Sequence, residues 1–138
     1  MEEACWFGLL YAYGGLMEAV GQALEREHGL TVSSFEVLLR LSVAREPERV
    51  SDVASSCLLS PSRVSRVVEQ LSERGLVEKQ ASARDARATQ LRLSEEGRVA
   101  FEAANATHWK VVTEHFFDLI SPEEMATLAS VWQKLGFC

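Results

Sequence analysis

Apolar residues recur at helical spacing along most of this chain, in blocks that end at glycine, proline or serine. Residues 4–29 are mostly apolar or small, contain no proline and end at Gly29, and glycine commonly follows the last turn of a helix. The next block, from Phe35 to near Pro47, repeats its leucines every three or four residues. These blocks predict a long first helix and a second, amphipathic helix that ends near Pro47.

A short helix and a longer helix are predicted next. After a stub of strand at residues 49–50, Ser51 is predicted to cap a two-turn helix over DVASSC. Ser60 and Pro61 then supply a serine cap and a proline in the first helical position, which together mark a helix start. The helix that follows closes at Gly75 and has a single buried stripe, formed by Val64, Val67, Val68 and Leu71.

Beyond Gly75 the pattern changes to the alternation that is typical of β-strands. Residues 76–80 and 89–93 predict two short strands joined as a hairpin. Ser94 is predicted to cap a helix that runs from residue 95 to about residue 118, and a last helix is predicted from Ser121 to near Gly136. The chain is therefore predicted to be mostly α-helical, with one small β-hairpin, in a single domain.

The positive charge of this acidic chain is concentrated around the hairpin. The net charge is −6, yet residues 60–93 hold seven basic and four acidic residues, and the rest of the chain holds seven basic and sixteen acidic ones. A local basic patch can attract a polyanion even when the whole protein is negative. This segment therefore predicts an anionic partner.

A short helix, a tight turn and a longer helix with a polar outer face are typical of a helix-turn-helix, which lays its second helix in the major groove of DNA. Arginine can read guanine with two hydrogen bonds, and glutamine can read adenine in the same way. We therefore predict sequence-specific binding to double-stranded DNA. The residues expected to face the groove are Ser62, Arg63, Ser65, Arg66 and Gln70.

The hairpin after this helix is predicted to act as a wing on the DNA. Its tip carries Arg84, Asp85 and Arg87, and arginine suits the narrow, strongly negative minor groove. Asp85 is expected to pair with one of these arginines and to orient it. A second interpretation stays open, a winged helix that serves as a protein-interaction adaptor, because the acids Glu69 and Glu73 lie on the same helix.

The remaining composition argues against several other classes of protein. Three widely spaced cysteines, none in a CxxC pair, predict a reducing compartment rather than a disulfide framework. The longest uncharged run, residues 4–17, is too short to span a membrane, and the acids after Met1 do not fit a secretory signal. No GxSxG, P-loop, HExxH or glycine-rich dinucleotide loop is present, so we predict a cytoplasmic protein that is not an enzyme and needs no cofactor or metal.

The run from Leu30 to Gly97 resembles the MarR family of bacterial winged-helix transcription regulators. The matching segments are LTVSSFEVLLRL, VSDVASSCLLSPSRVSRVVEQLSERGLVEK and SARDARATQLRLSEEG, and the most specific part is RGLVEK followed by DAR and LSEEG. The resemblance implies a winged helix-turn-helix lobe at residues 31–94 and a helical dimerisation region at residues 1–30 and 95–138. It also implies a homodimer on a pseudo-palindromic operator, usually a repressor that a small ligand or an oxidant releases. The family's groove-reading positions correspond to Ser62, Arg63, Ser65 and Arg66, and its wing pair corresponds to Asp85 and Arg87.

The hydrophobic pattern supports a dimer independently of the resemblance. The N-terminal run WFGLLYAYGGLM is apolar on nearly every side, and such a helix needs cover on more than one face. In a chain of 138 residues, a second subunit is the economical cover. The last helix offers a matching stripe of Met125, Leu128, Ala129, Trp132 and Leu135.

Two kinds of switch are consistent with the sequence. Some members of the family sense organic peroxides through a cysteine in the first helix, which makes Cys5 a candidate redox sensor, although Phe35 stands where that branch has a tyrosine. The alternative for Cys5 is a small buried hydrophobe. The other switch is a small aromatic or lipophilic effector, in a pocket predicted to be lined by Trp6, Tyr11, Tyr13, Phe35 and Trp109.

Overall fold

The computed structural model describes residues 1–57, 59–81 and 89–136, and over these residues the chain forms six α-helices and a three-stranded antiparallel sheet. The helices are α1 (Glu2–His28), α2 (Val32–Val43), α3 (Val50–Ser56), α4 (Pro61–Glu73), α5 (Glu95–His115) and α6 (Pro122–Leu135). The strands are β1 (Glu48–Arg49), β2 (Val77–Ala81) and β3 (Thr89–Leu93). The predicted fold class, mostly α-helical with a small β-hairpin, is confirmed.

Local capping chemistry fixes where three of the helices begin. The hydroxyl oxygens of Ser60, Ser94 and Ser121 accept hydrogen bonds from backbone N–H groups three residues further on, at the starts of α4, α5 and α6. The cap of α6 is reciprocal, because the Glu124 carboxylate also accepts from the Ser121 N–H at 2.8 Å. The helix starts predicted at these serines are confirmed.

Several predicted element boundaries are wrong. Helix α2 ends at Val43 rather than near Pro47, and the strand predicted at residues 49–50 lies at Glu48–Arg49. The helix predicted to start after Ser51 begins at Val50, and its N-cap residue is Arg49, so Ser51 lies inside the first turn. Arg49 is also the last residue of β1, whose pairing with β3 holds it extended up to the helix start. Helix α5 ends at His115 rather than near residue 118, because a 3-10 turn over Phe117–Leu119 takes over from it.

The sheet has the order β1-β3-β2. The hairpin of β2 and β3 follows the prediction, with Val77 opposite Leu93 and Ala81 opposite Thr89. Strand β1 adds only two residues to the other edge of β3. An ion pair between Arg40 of α2 and Glu48 of β1 attaches this short strand to the helical core.

The hydrophobic core lies between α2, α4, β3, α5 and the second half of α1. Leu24, Leu38, Leu71 and Leu91 are among its fully buried side chains. The whole predicted stripe of α4 is buried. In contrast, residues 1–15 are all exposed, and no residue of α6 is buried in the part of the chain that the structure describes. The two ends of the chain therefore leave apolar surface uncovered.

A cluster of aromatic rings packs α2 against α5. Phe35 is buried and stacks on Phe101 and on His108, with ring centroids 5.9 Å and 5.0 Å apart. Trp109 meets the His108 ring edge-on at 5.4 Å. The Nδ1 atom of His108 is buried and has no hydrogen-bond partner among the described residues, and burial lowers the pKa of the ring.

Lowering the pH below about 6.5 is expected to destabilise the protein through His108. Because its pKa is lowered in the folded state, the unfolded chain binds the proton more readily, and stability falls as the pH drops from the unfolded value towards the folded one. His108→Phe keeps the ring but cannot be protonated, so the variant should lose less stability in acid. Thermal unfolding of both proteins from about pH 8 to about pH 5 tests this, and parallel profiles would contradict it.

Candidate nucleic-acid interface

The outer face of α4 carries all five residues that the sequence predicts to face a DNA groove. Each of them is exposed. Four line a shallow cavity of about 410 Å³ between α4 and the start of α2, together with Thr31, Ser33, Ser60 and Val67. Ser65 lies outside this cavity. The four lining residues are Ser62, Arg63, Arg66 and Gln70.

The two arginines on this face differ in what holds them. The Arg63 side chain donates a hydrogen bond from Nε to the Ser33 hydroxyl at 3.1 Å, and Ser33 is buried at the start of α2. Arg66 makes no hydrogen bond or ion pair to another described residue. Of these two arginines, Arg66 is therefore the one whose side-chain donors are all free of hydrogen bonds to the described residues.

Other basic residues of the predicted patch serve the protein itself. Arg74 donates to the backbone carbonyls of Gly29 and His28, at 2.7 Å and 3.2 Å, and so closes the C-terminal end of α1. Arg92 pairs with Glu78 across the hairpin at 2.6 Å. The charge count in the sequence therefore overstates the positive charge that is free to meet DNA.

The acids near this face are partly compensated. Glu69, which favoured the adaptor interpretation, forms an ion pair with Lys79 of β2. Burial raises the pKa of the Glu36 carboxyl on α2, and the nearby positive charge of Arg63 opposes that shift. The exposed surface of α4 is consequently polar, and among the described residues Arg63, Arg66 and Glu73 are its charges without an ion pair.

The predicted wing tip lies outside the described residues. Arg84, Asp85 and Arg87 fall between Ala81, where β2 ends, and Thr89, where β3 begins. The two strands that carry the tip are in the predicted place, on the C-terminal side of α4. The roles of these three residues stay predictions.

A large apolar groove runs between the first half of α1 and the end of α6. It encloses about 940 Å³ and is lined almost entirely by apolar side chains. Trp6 and Tyr13 of the predicted effector pocket line it, and so does the exposed thiol of Cys5. Its other large side chains are Leu9, Leu16, Phe116, Leu128, Val131, Trp132 and Leu135.

The structure does not bring the five predicted pocket residues together. Tyr11 is exposed and stacks on Phe7, on another side of α1 from the groove. Phe35 belongs to the core, and Trp109 is half exposed beside His108. Within the described residues, Trp6 and Tyr13 share one cavity, whereas Phe35 and Trp109 belong to the aromatic cluster. The effector pocket stays a prediction.

The second described cysteine is poorly suited to react. Cys57 follows α3, is half-buried, and places its Sγ 3.9 Å from the backbone oxygen of Glu36. Burial raises the pKa of this thiol, and the negative charge of Glu36 raises it further, which disfavours the reactive thiolate.

Two other kinds of site are absent from residues 1–57, 59–81 and 89–136. No group of three or more histidine, cysteine or acidic side chains gathers there in a way that could hold a metal ion. No helix of that part combines the length and the hydrophobicity that a bilayer crossing requires.

Comparison with known proteins agrees with this geometry. The MarR family model matches residues 28–88, which include the helix-turn-helix and the first strand of the hairpin, β2. The chain is 26% identical over 115 residues to the HTH-type transcriptional repressor MdtR of Bacillus subtilis (strain 168), which covers 83% of this chain and 72% of MdtR.

Solved structures show the same fold over nearly the whole chain. AbsC, a MarR family transcriptional regulator from Streptomyces coelicolor, superposes with a TM-score of 0.86 at 26% identity, over 98% of this chain and 91% of AbsC. CouR from Rhodococcus jostii RHA1, solved bound to p-coumaroyl-CoA, gives a TM-score of 0.81 at 28% identity, over 99% of this chain and 94% of CouR. With the helix-turn-helix and the antiparallel hairpin in place, these matches support a winged-helix transcriptional regulator of the MarR family.

Proposed function

We propose that this protein is a homodimeric repressor that binds a pseudo-palindromic operator in double-stranded DNA. The observation that carries the proposal is the outer face of α4, where Arg66 stands exposed and unpaired among the described residues, beside Ser62 and Gln70. Arginine and glutamine at such positions read base edges in the major groove. The similarity to the repressor MdtR supports repression as the output.

The uncovered ends of the chain support a homodimer. Trp6, Leu9 and Leu135 are between 44% and 58% exposed and line the groove between α1 and α6. An apolar patch of this extent on a monomer marks an interaction surface. A second copy of the chain supplies the same apolar face, so a two-fold contact covers both copies at once. It would also place two α4 helices about one DNA turn apart.

Release by a small molecule completes the proposal. CouR, to which the chain is similar, is described in complex with p-coumaroyl-CoA. The predicted effector residues fall into separate places, with Trp6 and Tyr13 in the groove and Phe35 and Trp109 in the aromatic cluster, so we propose that an aromatic or lipophilic effector contacts one of these two groups. Cys5 is the alternative if the signal is an oxidant. Gel-shift titrations with aromatic acids, their thioesters and an organic peroxide separate these options, and Cys5→Ser should abolish only the peroxide response.

Arg66→Ala tests the groove contact. We expect the variant to lose the preference of wild type for one base pair in each half-site, worth about 1–3 kcal/mol for a bidentate contact. The operator is obtained first, by selecting bound fragments from genomic DNA with the reduced wild-type protein. Competition with operators that carry single base substitutions then gives the preference at each position. Glu73→Ala is the matched control, because Glu73 is exposed on the same helix, and this variant should keep the base preference of wild type.

The wing is tested through salt dependence. Arg87→Ala should weaken binding to all DNA sequences alike and lower the slope of log K against log salt by about one, because one phosphate contact is lost. If the variant keeps the wild-type salt slope and affinity, Arg87 does not contact the DNA. If wild type enriches no DNA at low salt, the adaptor interpretation takes the place of the proposed repressor.

A further inference from the structure

The two arginines of α4 occupy different environments, and the difference has a direct consequence for DNA binding. Both are exposed, both line the cavity between α4 and α2, and they lie three residues apart. Sequence reasoning treats them as equivalent base readers. In the structure the Arg63 guanidinium is attached to another helix, and Arg66 is not.

The attachment restricts what Arg63 can contact. Its Nε–H is committed to the hydroxyl of Ser33, which is only 6% exposed. An arginine reads guanine with two parallel N–H donors, and the pair that includes Nε is unavailable here. The contact also holds the guanidinium against the first turn of α2.

The surroundings of Arg63 suit a phosphate better than a base edge. The cavity lies against the first turns of α2 and α4, whose N-caps are Thr31 and Ser60. The positive ends of two helix dipoles therefore face the same space as the remaining N–H donors of Arg63. Four of the eight residues that line the cavity carry hydroxyl groups, and a hydroxyl can donate to a phosphate oxygen.

We propose that the two arginines divide the work of DNA binding: Arg63, fixed by Ser33, holds a backbone phosphate at the cavity between α2 and α4, and Arg66 reads a base. This inference rests on the proposed function. Ser33 thereby becomes a positioning residue, since it acts on DNA through the orientation of Arg63. The register of α4 in the groove is set by the phosphate contact, and the sequence preference comes from Arg66.

The test compares Arg63→Ala, Arg66→Ala and Ser33→Ala on the selected operator and on its singly substituted forms, at several salt concentrations. Arg63→Ala should weaken binding to every form by the same factor and lower the salt slope by about one. Arg66→Ala should lose roughly tenfold or more of the discrimination at one base pair. Ser33→Ala should weaken all forms roughly three- to tenfold with the salt slope unchanged, because no charge is removed.

A measurement without DNA tests the attachment itself. In the free protein, the Arg63 Nε–H signal should exchange slowly with water by NMR, and Ser33→Ala should make it exchange as fast as that of Arg66. The proposed roles of the two arginines are wrong if Arg63→Ala loses the base preference. They are also wrong if Ser33→Ala behaves as wild type in both experiments. If wild type binds no sequence selectively, the proposed function itself fails and the inference fails with it.

Discussion

Replacing Gly97 with alanine is expected to destabilise the protein by about 3 kcal/mol or more, the upper range for forcing an extra carbon into a packed site. Gly97 lies in the first turn of α5, directly against the backbone of Leu76. A β-carbon at Gly97 would overlap the Leu76 carbonyl oxygen and lie 2.8 Å from its carbonyl carbon. The clash is with main chain, so no side-chain rotation can relieve it.

The surrounding hydrogen bonds leave little room for the backbone to move. The Ser94 N–H donates to the Leu76 carbonyl at 3.1 Å, and the Ser94 hydroxyl donates to the Gly75 carbonyl at 2.6 Å. The same hydroxyl accepts from the Gly97 N–H at 2.9 Å. Moving α5 with its cap away from the turn after α4 would break both bonds from Ser94 to the turn.

Thermal unfolding followed by circular dichroism measures the effect at equal protein concentration. For a chain of this size we expect the midpoint to fall by about 10 °C or more. Glu96→Ala is the control, since the side chain is exposed in the same turn of α5 and its removal should change stability by less than about 0.5 kcal/mol. A Gly97→Ala midpoint equal to that of wild type would mean that α5 does not approach Leu76 this closely.

Trp132→Glu is expected to dissociate the proposed dimer. Trp132 is half-buried in the groove between α1 and α6, among Leu128, Val131 and Leu135. Loss of its apolar contact costs about 2 kcal/mol per copy, and a two-fold interface contains two copies. A total of about 4 kcal/mol corresponds to a dissociation constant about a thousandfold higher. The buried carboxylate adds to this cost.

Sedimentation velocity over a range of concentrations measures the dissociation constant. Binding to an operator with both half-sites should fall to the affinity of a single half-site, since the monomer cannot contact both. Gln133→Glu is the matched control, because it introduces the same charge at the neighbouring, exposed position of α6, outside the groove. A Trp132→Glu protein that sediments as wild type would place the dimer interface elsewhere or exclude a dimer.

Much of the fold could be predicted because its signals are local. The serine caps of α4, α5 and α6 accept hydrogen bonds from residues three positions away, so the pattern is visible in any short stretch. The buried stripe of α4 repeats at helical spacing, and Gly75, with φ of 72°, stops that helix in the left-handed conformation that glycine favours.

The candidate site was less predictable, because its contacts join residues far apart in the chain. Basic residues near α4 look alike in the sequence, yet Arg74 closes α1 and Lys79 pairs with Glu69. No spacing rule assigns Ser33 to Arg63, which lies 30 residues further on. The predicted effector residues illustrate the same limit, since aromatic side chains in the sequence carry no sign of which cavity they line.

The sequence by itself determined the order of the elements, the starts of α4, α5 and α6, and the polar and basic character of the face that α4 presents. These properties depend on hydrogen bonds and apolar repeats within a few residues. Only the tertiary structure decided which arginine is free, which glycine lies against another backbone, and that the apolar ends of the chain form one open groove. Those properties arise when α2 meets α4, α5 meets Leu76 and α1 meets α6, and contacts between distant segments are set by packing of the whole chain.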